Sequence, residues 1–120
     1  MSFQDDFNMT DLEIERNQNL NKIVTEDATG QKRNYLHIHP QNSYTHEKRK
    51  FEECWKLRQQ GKQFVTEARF KDRNLRADIY VLDTDQIIEI ESSSYELAER
   101  KKEYPKNTEF ILLEEEEKEK

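Results

Sequence analysis

The firmest hydrophobic rhythm in this chain lies between residues 63 and 91, where apolar and polar positions alternate with the period of two expected of strands. Three such runs, at about 63–70, 75–82 and 86–91, are punctuated by Lys-Asp-Arg-Asn and Asp-Thr-Asp-Gln, both rich in turn formers. They predict a three-strand meander. Four-residue loops pair Phe70 with Leu75 and Leu82 with Ile87. One face of the meander then carries Thr66, Ala68, Phe70, Leu75, Ala77, Ile79, Val81, Ile88 and Ile90, nearly all apolar. The other face sets Glu67 opposite Asp78 and Asp78 opposite Glu91, with Glu89 one pair along.

The flanks read as helices. Asn42, Ser43 and Thr45 offer N-caps, Phe51, Cys54, Trp55 and Arg58 share one helical face, and Gly61 supplies a stop. Lys48, Arg49, Lys50 and Lys56 fall on that helix's other face. Ser92, Ser93 and Ser94 can cap a second helix that ends before Pro105, and Thr108 to Leu113 reads as a last strand. The core order is α-β-β-β-α-β, an α/β (α+β) class with a mixed sheet flanked by helices. Residues 1–30 are polar, with Leu12, Ile14, Leu20, Ile23 and Val24 scattered through them. They read as an acidic flexible arm or a short, weakly docked helix. The domain proper runs from 31 to 113, and 114–120 form an acidic disordered tail.

Composition narrows the function classes. With 32% hydrophobic and 38% charged residues in 120, one small domain is expected. The single Cys54 excludes a disulfide framework and a multi-cysteine zinc site. No apolar run has membrane length, no signal peptide is evident, and no glycine-rich phosphate loop or nucleophile elbow is present. A cytoplasmic protein without nucleotide cofactor is expected, in the host cytoplasm if the chain is virus-encoded. The net charge of −6 is unevenly spread. Residues 1–30 hold seven acids and two bases, and 114–120 hold five acids and two bases. Of the chain's 26 acids and 20 bases, 14 and 16 remain for 31–113. Local charge of that sign suits a nucleic-acid partner.

Like charges directly opposite one another destabilise a sheet, so stacked carboxylates call for a neutralising group. A hard divalent cation, which takes oxygen ligands, is one; a solvated sheet face is the plainer alternative. His37-x-His39 lacks a third ligand. His46, at the start of a helix, reads as exposed, with the acid cluster within reach as the sharper alternative.

Residues 45–113 resemble the common core of the PD-(D/E)XK, or restriction endonuclease-like, nuclease superfamily. Arg76-Ala77-Asp78 is similar to its Pro-Asp element, with Ala in the Pro place. Glu89-Ile90-Glu91 is similar to its (D/E)-x-K element, with Glu in the Lys place, a variant found in a minority of restriction-type members. Glu67 resembles the additional upstream acid of some members. The resemblance implies a metal-dependent DNA endonuclease, of the kind found among junction-resolving, viral, mobile-element and competence-associated nucleases. It implies Asp78 and Glu89 as principal ligands of Mg²⁺, with Mn²⁺ as substitute, and the Ile90 carbonyl as a further ligand. Glu91 and Glu67 would serve a second metal or act on the attacking water. Arg76, Arg69, Lys71 and Arg73 are placed to grip phosphates, and Lys101, Lys102 or Arg100 to supply the missing cation. Cutting both strands of a duplex calls for two sites and hence a homodimer. The absent Lys also admits a catalytically inactive nuclease-fold module that binds DNA or protein.

Overall fold

The structure is a computed structural model that describes residues 3–29 and 32–113, the side chains of 3–10 and 94–96 excepted. Along the chain it contains α1 (Phe3–Leu20), α2 (Tyr44–Gln59), β1 (Phe64–Arg69), β2 (Arg76–Val81), β3 (Gln86–Glu91), α3 (Ser94–Arg100) and β4 (Glu109–Leu112). The strands form one mixed sheet in the order β1-β2-β3-β4. The first three are antiparallel neighbours, and β4 runs parallel to β3. A parallel pair needs a crossover, and α3 provides it. The architecture is therefore α+β, with the expected α-β-β-β-α-β succession following α1.

Local chemistry sets the ends of α2. Ser43 Oγ accepts the His46 N–H at 3.1 Å, an N-cap. At the other end Gly61 has φ +74°, Lys62 N–H reaches Leu57 O at 2.9 Å and Gly61 N–H reaches Arg58 O at 3.0 Å. That paired closure is the Schellman motif, and its left-handed residue favours glycine.

Both faces of the sheet are covered, which corrects the expectation of one apolar and one acidic face. Phe64, Ile79, Val81, Ile88 and Ile90 pack with Cys54 and Leu57 of α2. Val65, Ala68, Ala77, Tyr80, Leu82 and Ile87 pack with Leu20, Ile23 and Tyr104 on the other side. Val65 and Ala68, three residues apart, share a cluster because the strand changes parity at Glu67, where φ is +52°. Thr66 still faces Ile79 and Ala68 still faces Ala77, so the β1–β2 register is the expected one on both sides of the break.

The β2–β3 register differs from expectation by two residues. Val81 faces Gln86, Tyr80 faces Ile87 and Ile79 faces Ile88, where Leu82 opposite Ile87 was expected. Leu82 donates its N–H to Gln63 O at 2.8 Å, continuing the β1–β2 ladder, and Asp85, with φ +56°, absorbs the turn. Asp tolerates that left-handed geometry better than most residues. A shift of two preserves which face each side chain takes. It brings Glu89, not Glu91, alongside Asp78.

Of the two forms expected for residues 1–30, an arm or a short docked helix, Phe3–Leu20 takes the helix. Asn19 Nδ2 donates to Leu82 O at 2.6 Å, and Arg16 grips Asp83 through Nε at 3.1 Å and Nη2 at 3.0 Å. Leu20 and Ile23 are buried in the core, and Ile23 bridges to Phe70. The packed unit thus begins well before residue 31. The expected tail, 114–120, lies outside the described residues.

Candidate functional site

The acids converge where β2 and β3 part, beyond the Ile79–Ile88 pair. Asp78 Oδ2 accepts the Ile90 N–H at 2.8 Å, and Asp78 and Glu89 are hydrogen-bonded to one another. Burial pushes the Glu89 carboxyl far above its ordinary value, and the neighbouring Asp78 charge pushes it further. Burial pulls Asp78 the same way, but hydrogen bonds from His46 and Glu89 outweigh it and hold Asp78 below its ordinary value. The pair therefore shares one proton, carried on Glu89. Tyr104 donates its hydroxyl to Glu89 Oε1 at 2.7 Å, and Arg100 donates to that hydroxyl.

Glu67 and Glu91 lie to either side. Glu67 Oε2 is 3.2 Å from Lys50 Nζ, and its Oε1 is 3.2 Å from Arg76 Nε. Glu91 Oε1 is 3.1 Å from Arg100 Nε. The four acids expected on one face are thus brought to one region but turned to different partners. Among the described residues no group of three or more His, Cys, Asp or Glu is arranged to hold a metal ion. Asp78 and Glu89 supply the carboxylate oxygens that a hard cation takes. Glu67 and Glu91, held by Lys and Arg, do not complete the set as placed.

α2 contributes two residues that sequence reasoning turned outward. His46 is buried, with Nε2 3.3 Å from Asp78 Oδ2 and Nδ1 3.4 Å from Glu47 Oε1. Burial lowers its affinity for a proton, but the Asp78 hydrogen bond and the charges of Asp78 and Glu47 outweigh that and hold it above the ordinary histidine value. Lys50, expected on the solvent face, is fully buried. Its Nζ meets Glu47 at 2.7 Å, Glu67 at 3.2 Å and the His37 carbonyl at 2.7 Å. Three oxygens match the three donors of an ammonium group. The only signal in sequence was the i, i+4 spacing of His46 and Lys50, with Cys54 and Leu57 following on the same side.

Beside the acids opens a groove of ≈670 Å³ lined by Arg69, Arg73, Arg76 and Arg100, with Phe70, Leu75 and Tyr104 among its apolar walls. Arg69 is bound to Asp27 at 3.1 Å, and Arg73 lies 5.9 Å over the Phe70 ring. Lys71 lines a different groove with Lys22 and Asp85, and Lys101 is exposed beyond the end of α3. Of the expected phosphate contacts, Arg69, Arg73 and Arg76 come together, and Arg100 joins them. His37 and His39 line a neighbouring cleft with Glu67 and Arg76. No protein-family model, no curated protein and no solved structure matches the chain.

Proposed function

We propose that this chain is a metal-dependent DNA endonuclease with a restriction endonuclease-like core, hydrolysing phosphodiester bonds at Asp78 and Glu89. The observation that carries the reading is the adjacent Asp78 and Glu89 carboxyls at the parting of two strands, with four arginines lining the groove beside them. Glu67, Glu89 and Glu91 are buried beside Asp78, a cost of several kcal/mol that Lys50, Arg76, Tyr104 and Arg100 offset here. Asp78, Glu89 and the Ile90 carbonyl would hold Mg²⁺, or Mn²⁺ in its place, with Glu67 and Glu91 nearby. Bound there, the ion would activate water and neutralise charge on the leaving oxygen. The chain's own residues do the rest. His46 keeps Asp78 anionic, Tyr104 and Arg100 orient Glu89, and the arginine groove holds the phosphates flanking the scissile bond.

The runner-up is a catalytically inactive module that binds DNA through the same groove. It is favoured by Glu91 in the Lys place and by the pairing of Glu67 and Glu91 with Lys50 and Arg100. Cleavage of supercoiled, linear and four-way-junction DNA separates the two, run with Mg²⁺, Mn²⁺ or EDTA on wild type, Asp78→Asn and Asp78→Ala. Cutting that needs metal and is lost in folded Asp78 variants supports the nuclease. Groove-dependent binding without cutting supports the module.

A further inference from the structure

We propose that the outward face of α2 is a self-complementary surface through which two copies of this chain pair, helix against antiparallel helix. The proposal does not rest on the nuclease reading.

α2 departs from an ordinary amphipathic helix, although Cys54 and Leu57 pack into the core. Its buried residues include His46, Lys50 and Glu53. Its largest aromatics point to solvent: Phe51 is 49% exposed, Trp55 59% and Tyr44 80%. The Phe51 and Trp55 rings lie 6.2 Å apart, and Ile38, 64% exposed, extends the patch along a groove that Phe51 and Tyr44 also line. Contiguous exposed apolar surface of this kind marks an interaction site. At roughly 150–250 Å² for a whole aromatic side chain, these residues expose several hundred Å². That is about half of the ~800 Å² per partner buried in a stable pair, and the flanking polar side chains of α2 supply the rest.

The symmetry of the patch names its occupant. A concavity of ≈490 Å³ on this face is lined by Phe51, Glu52, Trp55 and Lys56. These are two pairs, one aromatic and one of opposite charge, each separated by one helical turn. Place a two-fold axis on the exposed side of the helix, perpendicular to it and level with the 53–54 peptide. Phe51 then stands level, to within a residue, with Trp55 of the second copy, and Glu52 with Lys56 of the second copy. The operation repeats both contacts, as an isologous interface requires. Lys48 falls opposite Gln59 of the second copy, so no like charges meet there. Lys56 Nζ sits 3.1 Å from Glu53 of its own helix with its side chain 60% exposed, which leaves it able to reach Glu52 across the axis. A nucleic-acid strand fits the face less well, because Glu52 stands in the concavity between Lys48 and Lys56.

Sedimentation velocity on the full chain, from low-micromolar to several hundred micromolar, tests the pairing. Trp55 is the only tryptophan, so its emission reports the interface directly. Wild type is expected to form a dimer, with Trp55 emission shifting to the red on dilution. Trp55→Glu should be monomeric with unchanged circular dichroism. Glu52→Lys and Lys56→Glu should each weaken pairing at least tenfold, and the double charge swap should restore it to within a few fold of wild type. Wild type that stays monomeric throughout the range overturns the proposal, as does a Trp55→Glu variant that pairs like wild type or a double swap no better than the single changes. Monomeric wild type whose Trp55 emission is quenched by a single-stranded oligonucleotide would also overturn it and assign the face to nucleic acid.

Discussion

Lys50 is the single side chain on which the interior of the site depends. It is fully enclosed and satisfies two buried carboxylates and a carbonyl at once. Lys50→Met keeps the volume but strands Glu47 and Glu67 without their cation. Breaking a buried pair from one side costs about 3–5 kcal/mol, so urea unfolding of this variant should show a loss of that order. Glu89 makes a second prediction. Its folded-state value lies above the ordinary 4.5, so the unfolded chain gives up that proton first as pH rises. Its contribution therefore turns destabilising above about pH 4.5 and grows until the folded group ionises. His46, held above 6.5, contributes stability that is present below that value and lost as pH rises through its raised one. Both slopes run downward with pH. Glu89→Gln should raise the melting temperature, by more at pH 8 than at pH 5, in a series of thermal melts. Asp78 and Glu89 could be read from the chain, since strand periodicity alone puts them on one face. Lys50 and His46 could not, because helix patterning assigns charged residues to solvent. Only the acids of other elements explain why these two turn inward.

At the scale of elements, the same contrast separates what turns dictate from what tertiary pairing dictates. The β1–β2 hairpin keeps the register set by its loop, and Ser43 and Gly61 bound α2 as their chemistry requires. The β2–β3 hairpin keeps a four-residue loop but sets it one residue earlier, at 82–85, where Asp85 takes a left-handed φ of +56° and its carboxylate accepts the Tyr80 hydroxyl. The parity break at Glu67 is hidden in the sequence. Residues on either side of it are apolar on alternating positions, so the sequence reads as one uninterrupted strand. α1 was expected as a flexible arm or a short, weakly docked helix because its apolar positions are sparse; it is a helix, and Arg16 and Asp83 anchor it with side chains only 11% and 12% exposed. Burial raises the Asp83 carboxyl, but the Arg16 hydrogen bonds and the Gln63 N–H outweigh that and hold it below its ordinary 3.8. The anchor's stability is thus present above pH 3.8 and lost as pH falls through the lower folded value. Asp83→Asn should cost ~2 kcal/mol at neutral pH, in line with hydrogen bonds to charged groups. Amide exchange in residues 11–24 should speed up in this variant at neutral pH, and in wild type only under acid.

Over the whole molecule, the negative net charge hides a sorted distribution. The acids of the site are consumed internally by His46, Lys50, Arg76 and Arg100, while Arg69, Arg73, Arg76 and Arg100 line one open groove. Arg69, Arg76 and Arg100 are each paired with an acid of the fold, so the proposed contact with a polyanion leans most on Arg73. Of the four arginines, Arg73 is the least committed to the fold: its ion pair is with the adjacent, exposed Asp72, and its stacking is on the edge of the core at Phe70. Removing it tests that contact without disturbing the acids. Each phosphate contact releases condensed counterions, so log K falls with log salt by about 0.9 per contact on duplex DNA and about 0.7 on single strands. Arg73→Ala should leave the melting temperature nearly unchanged, weaken DNA binding similarly across sequences, and reduce the salt slope by about one. Fluorescence anisotropy over a potassium chloride series measures both affinity and slope. An unchanged slope in this folded variant would take the groove away from the substrate path. A slope reduced in Arg73→Ala but not in Lys101→Ala would show that the path follows the arginines past the Asp78–Glu89 pair rather than the far end of α3.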